Sequence, residues 1–216
     1  MLILCSAKGG SGTTVVAATL ALLHAQHGPC LLVDLAGDLP AALGLSEPSG
    51  PGVFDWLASP VADGHALLRL ADGVSDGLRL IHRGSPAAIA AARDVPAARW
   101  AALAAGLHAT GAEVVVDAGT GAPPPALRAA AAQTLLVTRA CYLSLRRAAA
   151  QQIGPTGAVL VHEPGRALRR SDVEHALGVP IVAEVPWDPA IARSVDSGML
   201  AARLPSSLSR TLRAAA

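Results

Sequence analysis

The segment Lys8-Gly9-Gly10-Ser11-Gly12-Thr13-Thr14 carries the clearest chemistry in the chain. It follows a short apolar run, Leu2–Ser6, and leads directly into an Ala- and Leu-rich stretch of helical character. A strand, a glycine-rich turn and a helix start together build a cradle for an anion. Backbone N–H groups converge there, and the helix dipole favours negative charge. The glycines let the backbone approach the ligand closely. Lys8 adds a second signal. It is the only lysine among the 17 Lys plus Arg residues; every other cation is arginine. An ammonium is a compact point charge on a flexible stem, suited to approaching phosphate oxygens. A phosphate-bearing ligand is the chemistry these residues imply.

The elements that must position this loop are legible as alternating short apolar runs and longer helical stretches. The strands are expected at Leu2–Ser6, Cys30–Asp34, Leu78–His82, Glu113–Asp117, Thr134–Thr138, Ala158–Val161 and Ile181–Val185. They are near-continuous apolar runs, as strands covered on both faces require. Helices are expected at Thr14–His27, Gly64–Ala71, Pro86–Ala92, Pro96–Thr110, Pro123–Ala132, Ser144–Gln152, Ser171–Leu177 and Pro189–Ser197, with a tail from Met199 to about Arg213. Several open on proline or serine, which suit a helix N-terminus. Ser46–Pro60 reads as a loop holding one short helix. The pattern predicts an α/β fold, a doubly wound, mostly parallel sheet with helices on both faces, in a single domain over residues 1–216.

Composition removes other classes. The chain of 216 residues is 52% hydrophobic, 15% charged and 2% aromatic, with net charge +1. That argues against disorder, against a stacking platform for single-stranded nucleic acid, and against a strongly basic nucleic-acid binder. Cys5, Cys30 and Cys141 have no CxxC spacing, so buried thiols in a reducing compartment are expected. The seven histidines lack HxxxH and HExxH spacing, which weighs against a metal centre built on them. The N-terminus has no basic region ahead of its apolar run, and no stretch reaches the ~18 apolar residues of a membrane span. A cytoplasmic protein is expected.

The ordinary phosphate-binding P-loop reads GxxxxGK[ST]. Here Lys8 stands at its first position, Thr13 at the lysine position and Thr14 at the magnesium-binding hydroxyl. The segment resembles instead the deviant Walker A motif, KGGxGK[ST], of the MinD/ParA family of P-loop ATPases. Lys8, Gly9, Gly10, Gly12 and Thr14 fit that pattern, and Thr13 departs from it. Later segments resemble the family in the same order. Leu31-Leu32-Val33-Asp34-Leu35-Ala36 is similar to LLVDxD, Val114–Asp117 to the Walker B strand, Leu135–Arg139 with Ser144–Arg147 to the strand and helix after the second switch, and Glu184–Pro189 to the base-flanking loop. The resemblance spans about residues 1–200.

It implies ATP or ADP with magnesium as cofactors. Lys8, Gly9, Gly10, Ser11, Gly12, Thr13, Thr14, Pro186 and Trp187 would bind the nucleotide. Thr14, Asp34 and Asp117 would serve the metal. Lys8 would be the catalytic signature lysine, reaching across a homodimer to the partner's nucleotide. Two departures weaken hydrolysis: Thr13 replaces the P-loop lysine, and Ala36 replaces the aspartate that positions the attacking water. Such groups are each worth powers of ten in rate. Degraded loops of this kind resemble the TadZ/CpaE-like and septum-site-like branch. That branch implies a positioning factor for a Tad-type pilus, secretion or septum machine, with a protein partner in an envelope-associated assembly and recruitment to a pole or the inner membrane.

Three other readings compete. An active partitioning ATPase would bind DNA, through clusters such as Arg146-Arg147 or Arg166-Arg169-Arg170, which otherwise form solvated helix faces. An amide-forming synthetase would need a working P-loop and a substrate pocket. The tail leucines, Leu200, Leu204, Leu208 and Leu212, fall at helical spacing and suit either a membrane-binding helix or a helix packed on its own core. Pro205 favours the packed helix. Asp34 and Asp117, for their part, could simply cap strand ends.

Overall fold

The computed structural model describes residues 1–216, the side chain of Arg93 excepted. Among the described residues eight strands form one sheet: β1 Leu2–Ser6, β2 Cys30–Asp34, β3 Asp72–Ser75, β4 Leu78–Ile81, β5 Glu113–Thr120, β6 Gln133–Arg139, β7 Gly157–His162 and β8 Ile181–Pro186. Their order across the sheet is β3-β4-β2-β5-β1-β6-β7-β8, and only β3 runs antiparallel to its neighbour. The expected doubly wound α/β architecture is the one observed.

The side-chain period of a strand explains how helices come to cover both faces. Along β1, Leu2 and Leu4 enter one core, while Ile3 and Cys5 point to the other side. The first core is closed by the helix Thr13–Ala25 (α1) and by the C-terminal helix Ser206–Leu212. α1 is apolar on nearly every side, with Val16–Leu23 all buried; an all-round apolar helix belongs in an interior. The opposite face is covered by two groups of helices, one around Phe54, Trp56 and Leu103 and one around Leu145 and Val173.

All the parallel strands end at one edge of the sheet. From β1 the chain winds outward to β2 and β4; from β6 it winds the other way to β7 and β8. The reversal falls between β1 and β6, where the following loops diverge and leave a crevice. Ligands of open α/β sheets bind at such a point, and here it is filled by the loop Ala7–Gly12.

Three local expectations are corrected. The edge strand β3 was not anticipated, because its sequence Asp-Gly-Val-Ser is short, polar and mostly exposed. A helix at Leu39–Leu43 also appears where none was expected. The tail is not one helix from Met199 to Arg213. A turn occupies the residues before Pro205, and the helix begins at Ser206. Proline disfavours helical backbone in the residue before it and suits the start of a new helix. Leu200, Leu208 and Leu212 are fully buried in the first core, with Leu204 packed beside them. The apolar face of the tail is therefore turned inward. No helix among the described residues is long and apolar enough to cross a membrane.

Candidate functional site

The loop between β1 and α1 owes its shape to its glycines. Gly10 and Gly12 have φ of +76° and +94°, a region that residues with a Cβ avoid. The Ser11 hydroxyl donates to the Lys8 carbonyl at 2.7 Å and closes the turn. Gly12 occupies the N-cap of α1, so no side chain caps that helix, and its first turn holds no acidic residue. The leading N–H groups of a helix have no partner within it. Here they border a cavity of about 460 Å³ lined by Gly9–Val15, and they stay available to an external anion.

Asp34 and Asp117 end up side by side at the ends of β2 and β5, both fully buried. Their surroundings differ. Asp34 Oδ1 accepts from the N–H groups of Ala36 at 2.9 Å and Gly37 at 2.6 Å, and Oδ2 from Leu39 at 3.1 Å. That fills most of the acceptor capacity of a carboxylate and fastens the turn after β2. Burial raises its pKa, and the three N–H groups work against that rise. Asp117 Oδ1 accepts from Gly119 N–H at 3.0 Å, whereas Oδ2 is buried with no hydrogen-bond partner. Burial pushes Asp117 up from 3.8 to about 6. The Thr14 hydroxyl and the Gly119 N–H oppose the rise, and the negative Asp34 adds to it. Thr14 lies near enough to act on Asp117, yet no bond of ordinary geometry reaches Oδ2. An orphaned buried carboxylate oxygen beside a helix-start hydroxyl is a pairing that accepts a hard divalent cation or its water shell. No cluster of three or more metal-ligating side chains occurs among the described residues.

A second cavity, of about 430 Å³, lies on the other flank of the loop. Val15, Val161, Val185, Ile191, Pro186 and Trp187 give it apolar walls. Ser11, Gly12 and Val15 border both cavities, so the two meet at the loop. An anion cradle joined to an apolar slot matches a ligand with a charged tail and a flat ring. Pro186 and Trp187, which the resemblance assigns to the nucleotide, line this cavity together with Ser11 and Gly12 of the loop. His162, at the end of β7, is exposed and does not border this cavity.

Lys8 is set apart from the other loop residues. It borders a small third cavity with Arg139, Cys141, Ser144 and Arg166, and does not line the one that Thr13 and Thr14 share. Two residues that sequence reasoning did not single out stand here as well. Arg139, at the end of β6, lies with its guanidinium 5.5 Å from the centre of the Trp187 ring, and its buried Nε has no partner. Arg83, just after β4, borders the 460 Å³ cavity. Arginine is the common cation of this chain, so neither stood out in the sequence. The basic cluster farther on is partly neutralised: Arg166 pairs with Glu163, and Arg170 with Glu174 and Glu184.

No protein-family model matches the chain, and no curated protein matches it. Solved structures do. A ParA family ATPase from Chlorobium tepidum TLS superposes with a TM-score of 0.77 at 25% identity, over 97% of this chain and 95% of that one. MinD from Pyrococcus horikoshii OT3, complexed with Mg-ADP, gives 0.76 at 18% identity, over 97% and 91%. An ATP complex of a McdA variant from Cyanothece gives 0.72 at 18% identity, over 99% and 95%. The structural neighbours of this chain are thus MinD and ParA ATPases, and its fold is that of these P-loop proteins.

Proposed function

We propose that this protein is a nucleotide-binding positioning factor of the MinD/ParA kind, with weak or no ATP hydrolysis. The observation that carries this reading is the pair of cavities meeting at the Gly9–Thr14 loop, one bordered by unpartnered helix N–H groups and one apolar. The phosphates would lie along Gly9, Gly10, Ser11, Gly12, Thr13 and Thr14, and the base between Pro186, Trp187 and the valines. Thr14 and Asp117 would hold magnesium, with Asp34 acting one step back by fixing the turn beside it. Bound magnesium supplies charge neutralisation at the phosphates. Two of the neighbours, Pyrococcus MinD and Cyanothece McdA, were solved with Mg-ADP and with ATP, which supports nucleotide as the ligand.

Two contributions to phosphoryl transfer are missing from this chain's own residues. Thr13 brings no charge to the cavity, and Ala36, which also borders it, carries no carboxylate to orient water. Lys8 does not line the cavity that Thr13 and Thr14 share and borders a separate one with Arg139 and Cys141, a placement suited to reaching a second copy. The exposed Tyr142 and Leu143 nearby offer apolar area to such a partner. The protein then acts as a dimeric scaffold, nearest in kind to the TadZ/CpaE-like branch, with a protein partner in an envelope-associated assembly. The ion pairs of Arg166 and Arg170 neutralise part of the basic surface that DNA would use, and the inward-facing tail leucines leave little apolar surface for a membrane.

Light scattering with and without Mg-ATP, beside a turnover assay, tests this reading. Mg-ATP is expected to double the mass, Lys8→Ala to abolish that change, and turnover to stay below about one per minute. Faster turnover that is lost on changing Lys8 would identify an active ATPase and overturn the scaffold reading.

A further inference from the structure

We infer that Arg83 supplies the positive charge that Thr13 does not, reaching the terminal phosphates of the bound anion from β4 rather than from the loop. The inference rests on the proposal that a nucleotide occupies these cavities, and it adds a residue outside the loop to that site.

Arg83 borders the same 460 Å³ cavity as Gly9–Thr14. The side chain is half-buried, and its charge has no ion-pair partner among the described residues. Its Nε is buried without a hydrogen-bond partner. The ion pairs among the described residues involve Arg166 and Arg170 only, so no carboxylate neutralises it. Asp38 borders the same cavity yet makes no pair with it. A buried donor left without a partner calls for an acceptor, and an anion in the cavity would supply one. A phosphate oxygen pair is the natural complement, because the planar guanidinium fork binds it through two parallel bonds.

The side chain is also held in place. The guanidinium carbon lies 5.7 Å from the centre of the Phe54 ring. It also packs on Gly37, where an added Cβ would sit 3.1 Å from Arg83 Cδ. Gly37 is in turn fixed by Asp34. The stem thus touches the turn after β2, the guanidinium lies beside an aromatic ring, and the residue borders the cavity. In this chain arginine does almost all the cationic work, and Lys8, the exception, borders a different cavity. Arg83 is the one Lys or Arg side chain bordering the cavity that Thr13 and Thr14 share.

The test uses Arg83→Met, which keeps the stem over Phe54 and removes the donors, and Arg83→Lys, which keeps the charge. Each is titrated with Mg-ATP and with inorganic tripolyphosphate, and melting curves of the unliganded proteins check the fold. The expected result is wild-type binding of both probes, weakened about tenfold or more by Arg83→Met and less by Arg83→Lys, with melting temperatures held. Equal affinity in wild type and Arg83→Met would overturn the inference and leave the nucleotide reading standing. Binding of tripolyphosphate but not ATP, lost in Arg83→Met, would retain Arg83 as an anion ligand and remove the nucleotide. Binding of neither probe by the wild type would overturn both. If Arg83→Met does not fold, an Arg83→Lys affinity for tripolyphosphate equal to wild type supports a charge-bearing role, and a complete loss contradicts it.

Discussion

Asp34 and Asp117 face each other in register across the parallel strands β2 and β5, and neither is exposed to solvent. The first spends its carboxylate on three backbone N–H groups of the next turn, while the second keeps one oxygen unpartnered beside Thr14. Two acids of the same type, partners in one register pair, thereby take different tasks: one shapes the site and one is left for a ligand.

The unpartnered acid predicts an inverse link between stability and binding. Asp117 has its pKa raised in the folded state from 3.8 to about 6, so folding favours its protonated form. The associated stability is present below pH 3.8 and is lost as pH rises through about 6. Asp117→Asn removes that cost. Its melting temperature is expected to exceed wild type at pH 7.5, by an amount equivalent to roughly 1–3 kcal/mol, and to match it near pH 4. Magnesium-dependent nucleotide affinity falls in the same variant. A variant less stable than wild type at neutral pH would contradict this account of Asp117.

Restoring the missing parts is expected to restore them in order. Thr13 borders the main cavity and is 7% exposed, so a lysine placed there extends into it. Thr13→Lys should strengthen Mg-ATP binding with little gain in turnover. Adding Ala36→Asp should raise turnover by about two powers of ten over either single change. Single-turnover kinetics on the four proteins check this, and a full gain from Thr13→Lys alone would deny Ala36 its part.

Backbone conformation at Gly12 predicts a joint loss. With φ at +94°, an alanine there is strained even though its Cβ would meet only Val161 at 3.8 Å. Gly12→Ala is expected to cost about 1–2 kcal/mol in urea unfolding and to weaken Mg-ATP by more than tenfold, because the amides it presents are displaced. Unchanged affinity in a folded Gly12→Ala protein would place the ligand elsewhere.

The tail yields a stability prediction. Leu208 is fully buried against the first core. Leu208→Ala should lose ~2–4 kcal/mol, the usual cost of a cavity in a packed interior. A helix reserved for membranes would instead lose vesicle binding at constant stability.

Much of this was legible in the sequence, for a physical reason. Strands buried on both faces are continuous apolar runs, so β1, β2, β5, β6, β7 and β8 were readable within a residue or two at most ends. β3 was not, because a short polar edge strand has no such pattern. β5 runs on to Thr120, past the expected end at Asp117, because Thr120 pairs with Ser6 beyond a bulge. The loop was legible because Lys8 and three glycines sit between two apolar elements. Arg83 and Arg139 were not, since their place depends on which strand lies next to which. The order β4-β2-β5-β1 brings the end of β4 to the same edge of the sheet as the loop, where Arg83 borders the loop's cavity.

The most direct test of the central claim is a calorimetric titration of the unmodified protein with Mg-ATP, with Lys8→Ala in parallel. The account predicts saturable binding, one nucleotide per chain, weakened when Lys8 is removed because the partner's contribution is lost. No detectable heat at millimolar ATP, in a protein that melts cooperatively, would contradict it; the fold would then be a scaffold that no longer reads nucleotide.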